Sequence, residues 1–411
     1  MSNRLPRCLL PVLAVLFCLC CPSVHGEEKP SAAQVAGWRK AAEQGDAAAQ
    51  RRLAECYAQG LGVTQNIDEA FKWVLKAAEQ GNAVAQYNVG WCYYDGVGVP
   101  KDMVEAIKWY RKAAEQGGAL AQCNLGTCYV NGVGVTKNEA EAIKWFRKSA
   151  DQGHANAQYN LGRCYSSGTG VPKDPSDAVT WWRKAADQGH AQAQYNLGMR
   201  YAQGLGVQKN EVEAVTWYQK SANQGCSSAQ YNLGDCYLNG VGLKQDFAEA
   251  AKWFCKAADQ GDPLAQYNFG LCYFNGLGVD KDAAKSVSWW RKATDQGFAQ
   301  AQYNLGFCYH SGQGVPQDYV EAVMWYRKAA DQGNADAQRN LGACYTDGGG
   351  VVKNEVESYK WALLAAAQGD EIAKGNAANL ETRRLSPAQR AEGQRLAGEW
   401  RVKFDAARRA K

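Results

Sequence analysis

Apolar positions recur along most of the chain with helical spacing, and glycine interrupts them at regular intervals. In the stretch from Asn82 to Gly117, Ala85, Val89, Cys92 and Tyr93 fall on one side of a helix. The pattern predicts a first helix from about Ala83 to Tyr94 that stops at Asp95-Gly96, where glycine can take the left-handed backbone that ends a helix. The following Gly-Val-Gly-Val-Pro cannot continue it. Asp102 then stands at an N-cap, and Glu105 three residues on is placed to complete a capping box. Ala106, Trp109, Tyr110 and Ala113 form the buried stripe of a second helix, closed by Gly117.

This pair repeats. Gln-Gly recurs at a fixed period of 36 from Gln44-Gly45 to Gln368-Gly369, bounding nine full units over residues 46–369 without insertion or deletion. One helix pair cannot bury its stripe alone, so the units must stack into an all-α solenoid. That reading replaces the two or three ordinary domains that a length of 411 residues suggests. Residues 27–45 hold a lone second helix, Ser31 to Gly45, as an N-terminal cap. Residues 370–411 hold a degenerate first helix, Asp370 to Arg384, and an amphipathic helix from Ser386-Pro387 through Leu396 and Trp400, which together read as the C-terminal cap.

Residues 1–26 read as a signal peptide: Arg4 and Arg7, an apolar run from Cys8 to Cys21, and small residues at Val24 and Gly26 before Glu27. The run is too short for a spanning helix of about 20 residues. The expected location is secreted or periplasmic, in the cell envelope, with no membrane span after signal removal. The net charge of +5 falls to +3 without Arg4 and Arg7 of the leader (5 − 2 = 3), too mild to imply nucleic acid. A monomer is expected.

The recurring motif, A-x-A-Q-Y-N-L-G-x-x-Y-x-x-G-x-G-V followed by A-x-x-W-x-x-K-A-A-x-Q-G, resembles the Sel-1-like repeat family, relatives of the tetratricopeptide repeats. The resemblance spans all nine units. It implies a right-handed superhelix of antiparallel helix pairs whose first helices line the concave side. It also implies an adaptor in protein complexes, often exported in bacteria.

Chemistry finds little purchase in this sequence. Eight cysteines occupy one slot (Cys56, Cys92, Cys128, Cys164, Cys236, Cys272, Cys308 and Cys344), and Arg200 fills the ninth. Equivalent helices of stacked units lie about 8–10 Å apart, beyond the ~7 Å reach of a disulfide. The slot therefore reads as small buried side chains. Cys226 and Cys255 break the pattern and are the candidates for an exposed thiol or a stray bridge. No metal ligand set, cofactor motif or catalytic nucleophile-and-base arrangement is apparent, and no enzymatic activity is expected. Two alternatives stay open: a cell-wall or β-lactam-handling hydrolase of the kind proposed for cysteine-rich relatives, and a purely structural envelope protein.

The concave side implied by the resemblance directs attention to the other face of the first helix, where Tyr87, Trp91 and Tyr94 stand at i, i+4 and i+7. In the Tyr87 slot stand Tyr159, Tyr195, Tyr231, Tyr267 and Tyr303, constant enough to serve packing between repeats as readily as recognition. The Trp91 slot varies, through Arg163, Met199, Asp235, Leu271 and Phe307, and the Tyr94 slot includes Phe274 and His310. Aromatic residues at repeat two and at repeats seven and eight, with polar residues between, suggest a groove with two apolar anchors for a protein or peptide partner. The nine tryptophans spaced by 36 from Trp73 to Trp361 are expected to be structural.

Overall fold

The computed structural model describes residues 30–409, and among them it contains 21 helices and no strand. The leader assigned to residues 1–26 lies outside the described residues. The helices form an all-α solenoid with the 36-residue period and fall into two compact units, one ending at Asn210 and the other beginning at Glu211.

In the first unit a capping helix, α1 (Ala32–Glu43), precedes four helix pairs. These are α2 (Ala47–Gln59) with α3 (Ile67–Glu79), α4 (Ala83–Asp95) with α5 (Met103–Glu115), α6 (Ala119–Asn131) with α7 (Glu139–Asp151), and α8 (Ala155–Ser167) with α9 (Pro175–Asp187). Helix α10 (Ala191–Gln203) follows. The second unit runs from α11 (Glu211–Asn223) and α12 (Ser227–Asn239) through α13 (Phe247–Asp259), α14 (Pro263–Asn275), α15 (Ala283–Asp295) and α16 (Ala299–Ser311). It continues with α17 (Tyr319–Asp331), α18 (Ala335–Asp347), α19 (Glu355–Ala366), α20 (Glu371–Arg383) and α21 (Pro387–Arg409). Helix α21 packs along α19, where Trp400 meets Trp361 edge-on at 6.1 Å and stacks on Phe404 at 4.7 Å.

The repeat is built from a few local rules, seen in α4 and α5. Asn82 caps α4 by accepting the Ala85 N–H at 2.9 Å, and Gly96 ends it with φ +77°. The Asp102 carboxylate caps α5 through the N–H groups of Val104 and Glu105, at 2.9 and 3.0 Å. The expected reciprocal half of the capping box is corrected. The Asp102 N–H already donates to the Tyr93 carbonyl at 2.9 Å, so Glu105 has no orphan donor to satisfy and turns to Lys108 instead. The turn glycines also serve close approach between repeats: a Cβ on Gly134, whose φ is +67°, would fall 2.2 Å from the Met103 carbonyl oxygen.

Two buried layers hold neighbouring repeats together. In the apolar layer a deeply buried aromatic stands one residue after the periodic tryptophan in all but the first and last repeats, where Val74 and Ala362 take the place: Tyr110, Phe146, Phe254, Trp290 and Tyr326 are 0–3% exposed. Each sits against a glycine of its paired first helix. A Cβ on Gly90 would lie 2.7 Å from the Tyr110 ring, and one on Gly270 2.4 Å from Trp290 Nε1. The periodic tryptophans themselves are buried or half-buried, with a lysine over the ring, as Lys112 over Trp109 at 3.9 Å. The polar layer is a glutamine ladder. Gln86, 5% exposed, donates Nε2 to the Ala78 carbonyl at 3.2 Å while its Oε1 accepts from Gln116 Nε2 at 2.7 Å. Gln266 does the same with Ala258 and Gln296 in the second unit. One side chain thereby ties the end of the preceding pair to both helices of its own.

The slot cysteines are buried thiols. Burial pushes Cys92, Cys128 and Cys308 up to about 12, and Cys164, Cys236, Cys272 and Cys344 to about 11. Cys226 corrects the expectation of an exposed thiol: it is the N-cap residue of α12 and only 8% exposed. Cys255 is half-buried, with its Sγ 3.7 Å from the Asp259 carboxylate.

Candidate partner-binding face

The glycine that admits each buried aromatic also shapes the other face of the first helix. Gly90 lies three residues after Tyr87 and four before Tyr94, so all three share one side of α4. Tyr110 fills the gap above Gly90 and meets both rings, at 5.7 and 6.4 Å between centroids. Tyr87 and Tyr94 are therefore half-buried and partly spent on packing, a difference from their placement on a face turned away from the core. The Tyr87 hydroxyl also lies 3.4 Å from Asn124 Nδ2 of the next repeat.

The same arrangement recurs at the other candidates. In the first unit Tyr159 stacks on His190 at 4.6 Å, and its carbonyl accepts from Trp182 Nε1 at 3.2 Å. In the second unit Tyr231 packs on Phe254 (5.8 Å), Tyr267 on Phe298 (5.3 Å) and Tyr303 on Tyr326 (6.0 Å). Burial raises the hydroxyl pKa of Tyr231, Tyr267 and Tyr303. Tyr195 is half-buried.

The Trp91 slot is less spent on packing, although Leu271 still packs against the cluster around Trp290. Trp91, Arg163, Met199 and Leu271 are half-buried, while Asp235 and Phe307 are exposed, Phe307 at 37%. The Asp235 carboxylate accepts from Asn239 Nδ2 at 3.0 Å. In the second unit this slot joins the Tyr94 slot of its neighbour. Phe274 contacts Trp290 at 5.3 Å and Phe307 edge-on at 6.4 Å, and exposed His310 meets Tyr319 edge-on at 5.2 Å. Tyr319, 42% exposed at the start of α17, is a member of this aromatic patch that first-helix periodicity does not reveal. Its slot directly after the Asp cap is as variable as the others, and that variation was the available signal.

In the first unit the face holds an open depression of about 530 Å³, lined by Lys137, Glu139, Arg163, Ser166, Trp182 and Arg200 among others. Arg200, the one residue that departs from the cysteine slot, sends its guanidinium out of the core. It donates to Ser166 Oγ at 2.6 Å and lies 5.1 Å from the Trp182 ring. Among the described residues, no group of three His, Cys, Asp or Glu side chains has metal-holding geometry, and no helix is long and apolar enough to cross a membrane.

Stacked helix pairs with constant glycine, glutamine and aromatic positions and a variable outer slot define a repeat scaffold. The Sel1 repeat model matches nine consecutive segments, from 47–82 and 83–118 through to 335–370. The chain belongs to the Sel1 repeat family, whose members generally mediate protein–protein interaction and are typically non-catalytic. A protective antigen of uropathogenic Escherichia coli with an SLR fold is 31% identical, with a TM-score of 0.62 over 90% of this chain and 95% of its own. A Sel1 repeat protein from Oxalobacter formigenes is 33% identical, with a TM-score of 0.59 over 80% of this chain and 98% of its own. No curated protein matches the sequence.

Proposed function

We propose that this chain is a non-catalytic scaffold, exported to the cell envelope or secreted space, that captures a protein or peptide on the first-helix face of its repeats. It works as a monomer once its leader is removed. The observation that carries the reading is the Trp91 slot. On a frame that repeats nearly unchanged, this position changes from repeat to repeat and stays at least partly accessible, as Trp91 and Arg163 in the first unit and Leu271 and Phe307 in the second. Phe274, Phe307 and Tyr319 supply an accessible aromatic patch of the kind that anchors a partner. The leader pattern at residues 1–26 supports export, as does the likeness to a protective antigen.

The test is alanine replacement at the accessible positions, one unit at a time: Trp91→Ala in the first, Phe274→Ala with Phe307→Ala in the second. Each variant is compared with the parent for capture of partners from its own cells. Loss of about tenfold or more in capture by at least one variant is expected, since an aromatic hot spot contributes about 2 kcal/mol or more. Full capture by both variants, with melting curves unchanged, would place the interface elsewhere.

A further inference from the structure

The depression in the first unit carries a charge pattern that the repeat does not need. Eight repeats fill the slot of Arg200 with a buried cysteine, so packing alone is satisfied by a small thiol. Here an arginine stands in its place and leaves the core to reach the depression, where it donates to one neutral oxygen, Ser166 Oγ at 2.6 Å, and faces the ring of Trp182. A guanidinium offers five donors in a rigid fork suited to a carboxylate, and no carboxylate among the described residues forms an ion pair with this one. Its pKa is pulled below the ordinary arginine value because burial strips its solvent and no acid compensates.

Arg163 lines the same depression, with its guanidinium 5.9 Å from the Tyr159 ring centroid. The depression holds one acid, Glu139, and that carboxylate is engaged by Lys137 at 2.7 Å. Lys137 and Glu139 therefore cancel, and the two arginines leave an excess of two positive charges. Asn160, Asn196 and Thr169 add neutral polar groups around the wall. The opening is broad and lies on the same first-helix face as the variable slot, which suits an extended segment more than a small enclosed molecule.

We infer that Arg163 and Arg200 form a carboxylate-binding pocket that accepts an aspartate or glutamate side chain of an acidic peptide segment in a partner protein. The inference rests on the scaffold reading above and specifies the chemistry of one part of that face. Arg200 supplies the fork, held in place by Ser166 and Trp182, and Arg163 meets the carboxylate from the neighbouring repeat.

The experiment uses the full chain and a fluorescently labelled decapeptide of alternating glutamate and alanine, acetylated and amidated so that its only carboxylates are side chains. Its glutamine counterpart is the control, and binding is read by fluorescence polarisation at low and at physiological salt. The glutamate peptide is expected to bind at least about tenfold more tightly than the glutamine peptide, with the difference shrinking as salt rises. Arg163→Gln and Arg200→Cys are each expected to lose most of that preference. Arg200→Cys restores the residue that eight repeats already hold and so preserves the fold; a thermal melt checks this. Arg200→Lys keeps the charge without the fork and should retain only part of the preference.

Equal binding of the two peptides, or a preference unchanged in the double variant R163Q/R200C, overturns the inference. A labelled single-stranded oligonucleotide that binds more tightly than the glutamate peptide also overturns it, since the pocket would then be reading phosphates. Loss of this peptide binding while Trp91 or Phe307 variants still abolish partner capture removes the pocket alone. Absence of the peptide binding together with full partner capture by those variants removes the scaffold reading as well.

Discussion

Replacing Gln266 with leucine is the sharpest test of what holds the stack together. Gln266 is 5% exposed, donates to the Ala258 carbonyl at 3.2 Å and accepts from Gln296 Nε2 at 3.0 Å. Leucine fills similar space and removes both bonds. The Ala258 carbonyl at the end of α13 then loses its side-chain donor but still accepts from the Gly261 N–H at 3.0 Å, so the loss there is that of one hydrogen bond, about 0.5–1.5 kcal/mol. The Gln296 amide likewise keeps a bond, to the Gly261 carbonyl at 2.9 Å, so its share is of the same size. Together these come to about 1–3 kcal/mol, offset in part by the added apolar burial of leucine. Because a repeat array unfolds in pieces, a single melting midpoint understates the effect. Native-state hydrogen exchange along α13, α14 and α15 should show protection lost there first, alongside a urea melt for the chain. The double variant Gln266→Leu/Gln296→Leu should cost less than the sum of the singles, as coupled partners do. A Gln266→Leu protein within about 0.5 kcal/mol of the parent, with exchange unchanged, would refute the ladder as an inter-repeat tie.

Two further outcomes follow from the core. Gly234→Ala would push a methyl to 2.8 Å from the Phe254 ring and should cost about 1–3 kcal/mol in a urea melt. In a Phe254→Val background, which recreates the Ala54 and Val74 pair of the first repeat, the same change should be nearly neutral; full additivity would contradict the packing described. The slot cysteines remain protonated in the fold to about 11–12, whereas an unfolded thiol ionises near 9. The folded chain thus binds more protons above pH 9, so this contribution is intact below that pH and drains away as pH rises through 11. Melting temperature should fall across that window, with eight Cys→Ala replacements flattening the fall. A curve equally steep in the alanine variant would assign it to other groups.

What the sequence discloses about this molecule is what lies inside one period. Helix bounds near Ala83 and Asp95, the left-handed Gly96, the buried cysteine slot and the capping helices at both ends all follow from local spacing and glycine chemistry. What stays hidden is pairing across the period. Gln86 finds Gln116 thirty residues away, Arg200 finds Ser166, and the Asp102 N–H is taken by Tyr93 before Glu105 can reach it. The glycine after each Tyr-Asn-Leu or Tyr-Asn-Val is visible in the sequence. That a second-helix aromatic passes over it to cover the Tyr87 and Tyr94 slots, leaving the Trp91 slot outermost, needs the packed structure. Tyr319 joins His310 for a similar reason: α17 brings a variable position against the end of α16.

Site-specific photo-crosslinking in the native cell tests the central claim most directly, by placing a benzoylphenylalanine at Phe307 in one strain and at Val104 in another. Both positions are accessible, but Phe307 stands on the first-helix face and Val104 at the start of a second helix. The scaffold reading predicts a discrete crosslinked partner from position 307 and none from 104. A partner captured from 104 with nothing from 307 would contradict it.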